Sequence, residues 1–421
     1  MEGHTLAELE NKNQKTLLLL GGSADQVYAI HTARRMGLKT LVVDRNPSSP
    51  GFSIADSHAV VSTTDLPSLI NLVDEYTENC DNIAGVLVMG SDIPHVVCEL
   101  AAHLGTPHIP LEAARLSTNK YLMKQNFFRH GIPIPWFSIL QDSEDLIRTV
   151  QQRGYPLVIK PVDRSGARGV FYLEQGCDLR ELYQKAKELS FSGKVMVEEF
   201  LPGLQISTET IMWQGQAYTP GFADRNYEKL REFAPNIIEN GGWVPSKVDA
   251  ATRKEVEALV ERAALALGVE NGVVKGDVVV TPSGPKIIEM ATRLSGGDFS
   301  ESLIPLGCGV NIVEAAITIA IGQTPDLNKL RPKFSRGVVN RYFFPSPGRL
   351  VRIDGLNELR NQPWLTKLEF WYKPGDIVPE IRSHADRFGV FVVCADSREE
   401  AERYANQVYR TIRIVTSPEE E

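Results

Sequence analysis

Cysteine is scarce and scattered in this chain. Cys80, Cys98, Cys177, Cys308 and Cys394 form no CxxC pair, so neither a disulfide framework nor a cysteine zinc site is expected. Reduced, mostly buried thiols and a cytoplasmic location are expected instead. Long apolar runs are missing too: none reaches the ~18 residues of a membrane span. The first fifteen residues, with Glu8, Glu10, Lys12 and Lys15, lack the apolar centre of a signal peptide and read as a flexible tail. Basic blocks are absent, and the formal net charge is −8, which argues against a nucleic-acid partner. None of the eight histidines stands in an HxxxH or HExxH pattern, so no histidine metal site is expected. No Ser/His/Asp or Cys/His arrangement is visible, and side-chain nucleophilic catalysis loses its usual signature. Gly21-Gly22-Ser23-Ala24-Asp25-Gln26 does not supply G-x-G-x-x-G, so a dinucleotide site is not expected.

What remains is an ordinary globular composition, 43% hydrophobic and 23% charged over 421 residues, enough for two or three domains. Thr16–Leu20 runs into Gly21-Gly22-Ser23. An amphipathic helix from Asp25 to about Met36 stops at Gly37, and Thr40–Asp44 resumes as a strand. With the strand Gly85–Met89 and a helix to about Leu104, this alternation predicts a parallel sheet with a ligand crevice at its carboxyl edge. A helix from about Asn119 to His130 follows, ended by Gly131-Ile132-Pro133-Ile134-Pro135. Helices near 144–152 and 179–189 with strands 157–160 and 195–200 predict a small α+β region. Antiparallel strands 206–213 and 217–223, a helix 251–267 and two acid-bearing strands come next. Strands near 337–344 and 389–394 and a helix 398–412 predict a smaller C-terminal α+β unit, with 419–421 disordered.

The most informative stretch is Glu289-Met290-Ala291-Thr292-Arg293-Leu294-Ser295-Gly296-Gly297. It follows an apolar run, and Asp277 ends another apolar strand upstream. Two carboxylates on adjacent strands suit a divalent cation on ATP phosphates. Arg293, four residues past the second acid, suits the charge that develops when a carboxylate is phosphorylated. Lys160 closes the run Pro156-Leu157-Val158-Ile159, where an ammonium must reach water or an anion. Beyond it, Asp163-Arg164-Ser165-Gly166-Ala167-Arg168-Gly169 can turn backbone N–H groups toward an anion. Lys120 opens a helix and offers a second phosphate contact. Val195–Gly203 is a strand entering a turn, a place where backbone groups can meet an adenine edge.

In this order the set Lys120, Lys160, glycine loop, Glu198-Glu199-Phe200-Leu201, Asp277 and Glu289…Arg293 resembles the ATP-grasp superfamily, from about Thr16 to at least Gly322. The resemblance implies an α/β ATP-grasp fold. Its parts are an N-terminal Rossmann-like parallel-sheet domain (16–115), a two-lobed ATP-binding α+β domain (116–330, mobile lobe about 133–195) and a small C-terminal α+β lid unit (331–418). It implies that Lys120 and Lys160 bind ATP phosphates, with Ser165, Gly166, Arg168 and Gly169 closing over them. Glu199 and Leu201 would hold adenine, with Glu198 and Phe200 beside them. Gln205 stands where many members have a ribose-binding glutamate. Asp277 and Glu289 match the Mg²⁺ ligands, with Mn²⁺ able to substitute; Ala291 replaces a frequent third ligand, an asparagine. Arg293 matches the arginine that steadies the acyl phosphate.

The implied activity is ADP-forming carboxylate–amine ligation. The Arg293-Leu294-Ser295-Gly296-Gly297 ending resembles the L-amino acid ligases, so small-molecule carboxylate and amine substrates and a homodimer are expected. No glutamate follows Arg293 until Glu301, which argues against biotin carboxylation. Purine-pathway ribotide ligases or carboxylases of the same superfamily are the alternative enzyme class, and a non-catalytic ATP-binding module is the alternative outside catalysis. Ser91, Asp92, Arg225, Glu228, Gly296 and Gly297 are candidate substrate contacts, and Arg341 is a candidate catalytic residue from the C-terminal unit. The aromatic-rich stretch 223–245 is expected to be a substrate-covering loop.

Overall fold

A computed structural model describes residues 14–418; the expected tail therefore lies almost wholly outside the described residues, as do Glu419–Glu421. Leu17–Leu20 are fully buried, and a near-continuous apolar strand suits the middle of a parallel sheet. That strand, β1 (Thr16–Leu20), lies between β2 (Lys39–Asp44) and β4 (Ile83–Leu87), with β3 (Ser57–Val60) outside β2. All three pairings are parallel. The glycine turn after β1 is held internally: Gly22 N donates to Asp44 Oδ2 at 2.9 Å. The acid at the end of the second strand is thereby used by its own fold.

A four-stranded antiparallel lobe follows, in the order β5 (Phe137–Leu140), β8 (Val195–Glu199), β6 (Leu157–Pro161), β7 (Phe171–Leu173). Two amphipathic helices cover one side. Asp142 caps Ser143–Arg153 and Asp178 caps Leu179–Leu189, each accepting from a first-turn N–H.

The largest sheet has eight strands. From one edge it runs β13 (Gly284–Ala291), β12 (Gly272–Thr281), β9 (Leu204–Trp213), β10 (Gln216–Arg225), β11 (Gly242–Val244), β14 (Gly337–Tyr342), β18 (Gly389–Ala395), β16 (Leu365–Phe370). The C-terminal strands therefore continue the sheet of the acid-bearing strands. The segment 223–245 is strand only at its ends, in β10 and β11; between them it runs as loop with one helical turn, Leu230–Phe233. β11 pairs with β10 on one side and β14 on the other, Phe233 packs on Phe344, and Trp243 stacks under Arg341. Its aromatics, Tyr227, Phe233 and Trp243, are half-buried. The remaining strands, β15 (Gly348–Asp354), β17 (Ile377–Val378) and β19 (Arg413–Ser417), form a small separate sheet.

Candidate active site

A cleft of about 540 Å³ opens where the parallel sheet's carboxyl edge, the small lobe, the eight-stranded sheet and the C-terminal strands meet. Its floor is set by register. Asp277 and Glu289 are direct antiparallel partners on β12 and β13, so both carboxylates leave the same face. The pairing then slips: Val278 faces Ile287, leaving Ile288 as a bulge beside Glu289. Bulges of this kind re-aim side chains.

Both acids are held by cations of the chain itself. Lys275, two residues before Asp277 and thus on the same strand face, places Nζ 2.6 Å from each Asp277 oxygen. Arg225 approaches Oδ2 at 3.0 Å, and Ser207 Oγ donates to Oδ1 at 3.3 Å. Burial would raise the Asp277 carboxyl, but Arg225 and Lys275 outweigh it and hold it down at about 2. Lys120 Nζ lies 2.8 Å from Glu289 Oε1 and donates to the Arg164 carbonyl at 2.8 Å. Burial favours a neutral Lys120, yet Glu289 reverses the balance and raises it.

Lys160 is buried and paired with Glu198. Glu198 also meets Lys124 at 2.8 Å. Lys124, four residues after Lys120 and so on the same helix face, donates to the Ile288 carbonyl at the bulge (3.0 Å). Burial pushes its ammonium down to about 8 against the pull of Glu198. The glycine loop crosses above. Gly166 and Ala167 both have left-handed backbone, φ 64° and 60°; for alanine this is strained, as is common at functional sites. Ser165, Gly166 and Arg168 line the cleft, and Glu199, Phe200, Leu201 and Gln205 line its other end with Val158 and Ile288.

Arg293 donates through Nε to Asp92 Oδ1 at 2.7 Å, with NH2 at 2.6 Å from the same oxygen. Burial opposes the Asp92 charge, but Arg293 and Lys120 keep the carboxyl below its usual range. This pair ties the acid strands to the parallel sheet. Gly296 and Gly297 also line the cleft.

Four expected residues do not reach it. Arg341 is buried on the opposite face of β14, donating to the Gly242 and Asn340 carbonyls and stacking on Trp243. Strand alternation explains the correction, since Asn340 and Tyr342 are the β14 residues that line the cleft. Glu228 instead accepts from Asn240 Nδ2 at 3.0 Å. Ser91 sits in the turn before Asp92, where its carbonyl takes Ile93 N. Gly169 closes the glycine loop against Pro161. Arg225 is in the cleft, but joined to Asp277 and Glu239.

Lys124, Lys275, Glu209, Glu239 and His384 were missing from the sequence reading. Helical and strand spacing could have found the two lysines. Nothing local marked Glu209, which is fully buried on β9 and accepts from Ser295 N at 2.6 Å and from Ser300 Oγ at 2.8 and 2.6 Å. His384 arrives from the C-terminal strands: its N donates to the Gly166 carbonyl at 3.1 Å, and its Nε2 accepts from Glu239 N at 3.3 Å.

Residues 117–297 match the family of the ATP-grasp domain, and residues 341–417 match L-amino acid ligase C-terminal domain 2. The chain carries an ATP-grasp domain. Its likeness is to carboxylate–amine ligases. An uncharacterized Sinorhizobium fredii protein, y4rH, is 24% identical over 419 residues, 97% of this chain and 84% of that one. The L-arginine-specific L-amino acid ligase of Bacillus subtilis is 23% identical, covering 74% of this ATP-grasp chain and 75% of its own length. The crystal structure of the Bacillus licheniformis L-amino acid ligase superposes with a TM-score of 0.82 at 19% identity, covering 96% of this chain and 100% of that one. No described helix is long and apolar enough to cross a membrane.

Proposed function

We propose that this chain is an ADP-forming ligase that activates a carboxylate as an acyl phosphate and joins it to an amine, with amino acids as substrates. The observation that carries the reading is the Asp277–Glu289 pairing: two carboxylates on one sheet face, beside Arg293, with Lys120 and Lys160 lining the same cleft. The match of residues 341–417 to a domain of L-amino acid ligases supports the amino-acid class. We divide the chain accordingly at 16–115, 116–330 and 331–418.

Asp277 and Glu289 would hold Mg²⁺. No group of three or more acids, histidines or cysteines among the described residues is placed to hold a metal ion. Two carboxylates still fit magnesium, which keeps waters and shares phosphate oxygens. When bound, it supplies charge neutralisation on the triphosphate. Lys120 exchanges Glu289 for a phosphate oxygen, and Lys160 and the glycine loop orient the terminal phosphates. The substrate carboxylate oxygen forms a bond to the γ-phosphorus as the bond to the β,γ-bridging oxygen breaks, and ADP leaves. The amine, having lost a proton, then attacks the acyl carbon. The C–N bond forms, the nitrogen gives up a second proton to the departing phosphate, the C–O bond to phosphate breaks, and inorganic phosphate leaves. Arg293 faces the oxyanion of that addition.

Glu289→Ala tests the reading. ADP formation with a panel of amino acids is expected to vanish while nucleotide binding persists; retained turnover would remove Glu289 from the reaction. Turnover that requires bicarbonate and an aminated ribotide would move the chain to the purine-pathway class.

A further inference from the structure

Glu209 is fully buried in β9 and takes no part in the steps above. Across the sheet it pairs with Lys275 of β12, one step along the same face from the pair Ser207–Asp277. The cations whose charge reaches it are Arg293, from the loop above, and Lys275. Both are committed to other acids, Arg293 to Asp92 and Lys275 to Asp277. A buried carboxylate without a cation of its own is costly. Burial accordingly raises the Glu209 carboxyl above its ordinary range, against hydrogen bonds from Ser300 and Ser295.

Counting protons leads to the same protonation state. Ser295 N–H donates to Oε1 at 2.6 Å. Ser300 Oγ lies 2.8 and 2.6 Å from the two carboxyl oxygens and 2.9 Å from the Ser295 carbonyl, yet a hydroxyl has one proton to give. With an ionised Glu209, that proton serves either the carboxylate or the Ser295 carbonyl and deserts the other. With a neutral Glu209 the ring closes. Oε2–H donates to Ser300 Oγ, Ser300 O–H to the Ser295 carbonyl, and Ser295 N–H to Oε1, so every donor meets one acceptor.

This ring clasps the chain on both sides of an unusual turn. Arg293, Ser295, Gly296 and Gly297 line the cleft. Asp298 then takes left-handed backbone, φ 69°, and Leu303 N reaches back five residues to the Asp298 carbonyl at 2.8 Å, a turn of the loosely wound π type. Such backbone persists only where its surroundings over-determine it. We infer that Glu209 is a positioning residue, a neutral acid that pins, through Ser295 and Ser300, the loop presenting Arg293 to the acyl phosphate. The role of Arg293 rests on the ligase reading; the pin does not.

Two measurements on the full chain need no turnover. A neutral buried acid releases its proton on unfolding wherever the pH exceeds the ordinary carboxylate range, so its contribution to stability falls as pH rises. Glu209→Gln keeps the ring without the titration, since its amide donates to Ser300 Oγ and its carbonyl accepts from Ser295 N. The melting point of Glu209→Gln relative to wild type is expected to climb between about pH 5 and 8; a flat or falling difference overturns the neutral acid. In hydrogen exchange, Glu209→Ala should speed exchange of residues 294–303 about tenfold or more while β1 stays protected, and Glu209→Gln should restore protection. Unchanged protection in Glu209→Ala overturns the pin. Ser300→Ala opens the same ring and carries this arm if Glu209→Ala folds poorly.

The third measurement is ADP formation with the amino acid that supports it. Glu209→Ala should lower kcat about tenfold or more, leave the KM for ATP within about threefold, and have most of the kcat recovered by Glu209→Gln. A loss confined to the KM for ATP, or a Glu209→Gln as slow as Glu209→Ala, overturns the action through Arg293. No ADP from the wild type with any amino acid would instead strike the ligase reading, while the first two measurements still decide the pin.

Discussion

Glu198 shows how much a single side chain can carry here. It is buried between Lys124 and Lys160, and burial alone would keep it protonated; the two ammonium groups hold it ionised instead. Glu198→Ala would leave two buried lysines without their carboxylate. Removing one partner of such a group destabilises a protein by about 3–5 kcal/mol. Denaturant unfolding of the purified variant should show a loss of that order, and a loss below about 1 kcal/mol would mean that water already reaches these lysines. Legibility at this scale followed chemistry with local spacing. Lys120, Lys160, Asp277, Glu289 and Arg293 could be picked out because charge on apolar strands and helix starts is conspicuous. Arg341 could not be oriented: the reading chose the right strand and the wrong parity, and one position decides which face a strand residue takes.

At the scale of elements, the bulge beside Glu289 and the turn carrying His384 both act through backbone. The His384 ring accepts from Glu239 N, which requires an unprotonated Nε2. Burial, with Arg387 and Arg225 nearby, holds its pKa well below the ordinary 6.5. The unfolded chain therefore gains a proton near pH 6.5 that the folded chain refuses. Stability from this group is complete above that pH and is lost as the medium becomes more acidic. His384→Gln keeps an acceptor without the titration and should flatten the decline in melting point between about pH 6.5 and 5. An unchanged slope would show that other groups cause the decline. Most elements near the site could be read from periodicity. Helix Leu66–Asn79 and strands β15, β16 and β19 were not. The strands are short; β15 opens by alternating buried with exposed residues, and β16 and β19 hold only half-buried and exposed ones, so no apolar run marks them.

For the whole molecule, the C-terminal strands are structural as well as covering. β11 reaches β14 across the chain, and Arg398 on the last helix ion-pairs with the fully buried Asp224 of β10. Removing residues 337–418 would bare the β11 edge and leave Asp224 without its cation. A chain ending at 336 is expected to aggregate or to lose its cooperative calorimetric transition; a soluble, ATP-stabilised fragment would show that the two parts fold separately. The parallel sheet that opens the chain was legible, since alternating strands and helices announce it. The continuity of the large sheet was not, because pairing between strands about a hundred residues apart leaves no local trace.

The two acids at the floor of the cleft are neutralised before any nucleotide arrives, Glu289 by Lys120 and Asp277 by Lys275 and Arg225. On the proposed ligase reading, loading a triphosphate would be a swap of partners: Lys120 would trade carboxylate for phosphate, and Glu289, so released, would be free to hold the accompanying metal ion. The pairing also spares the two neighbouring acids their mutual repulsion.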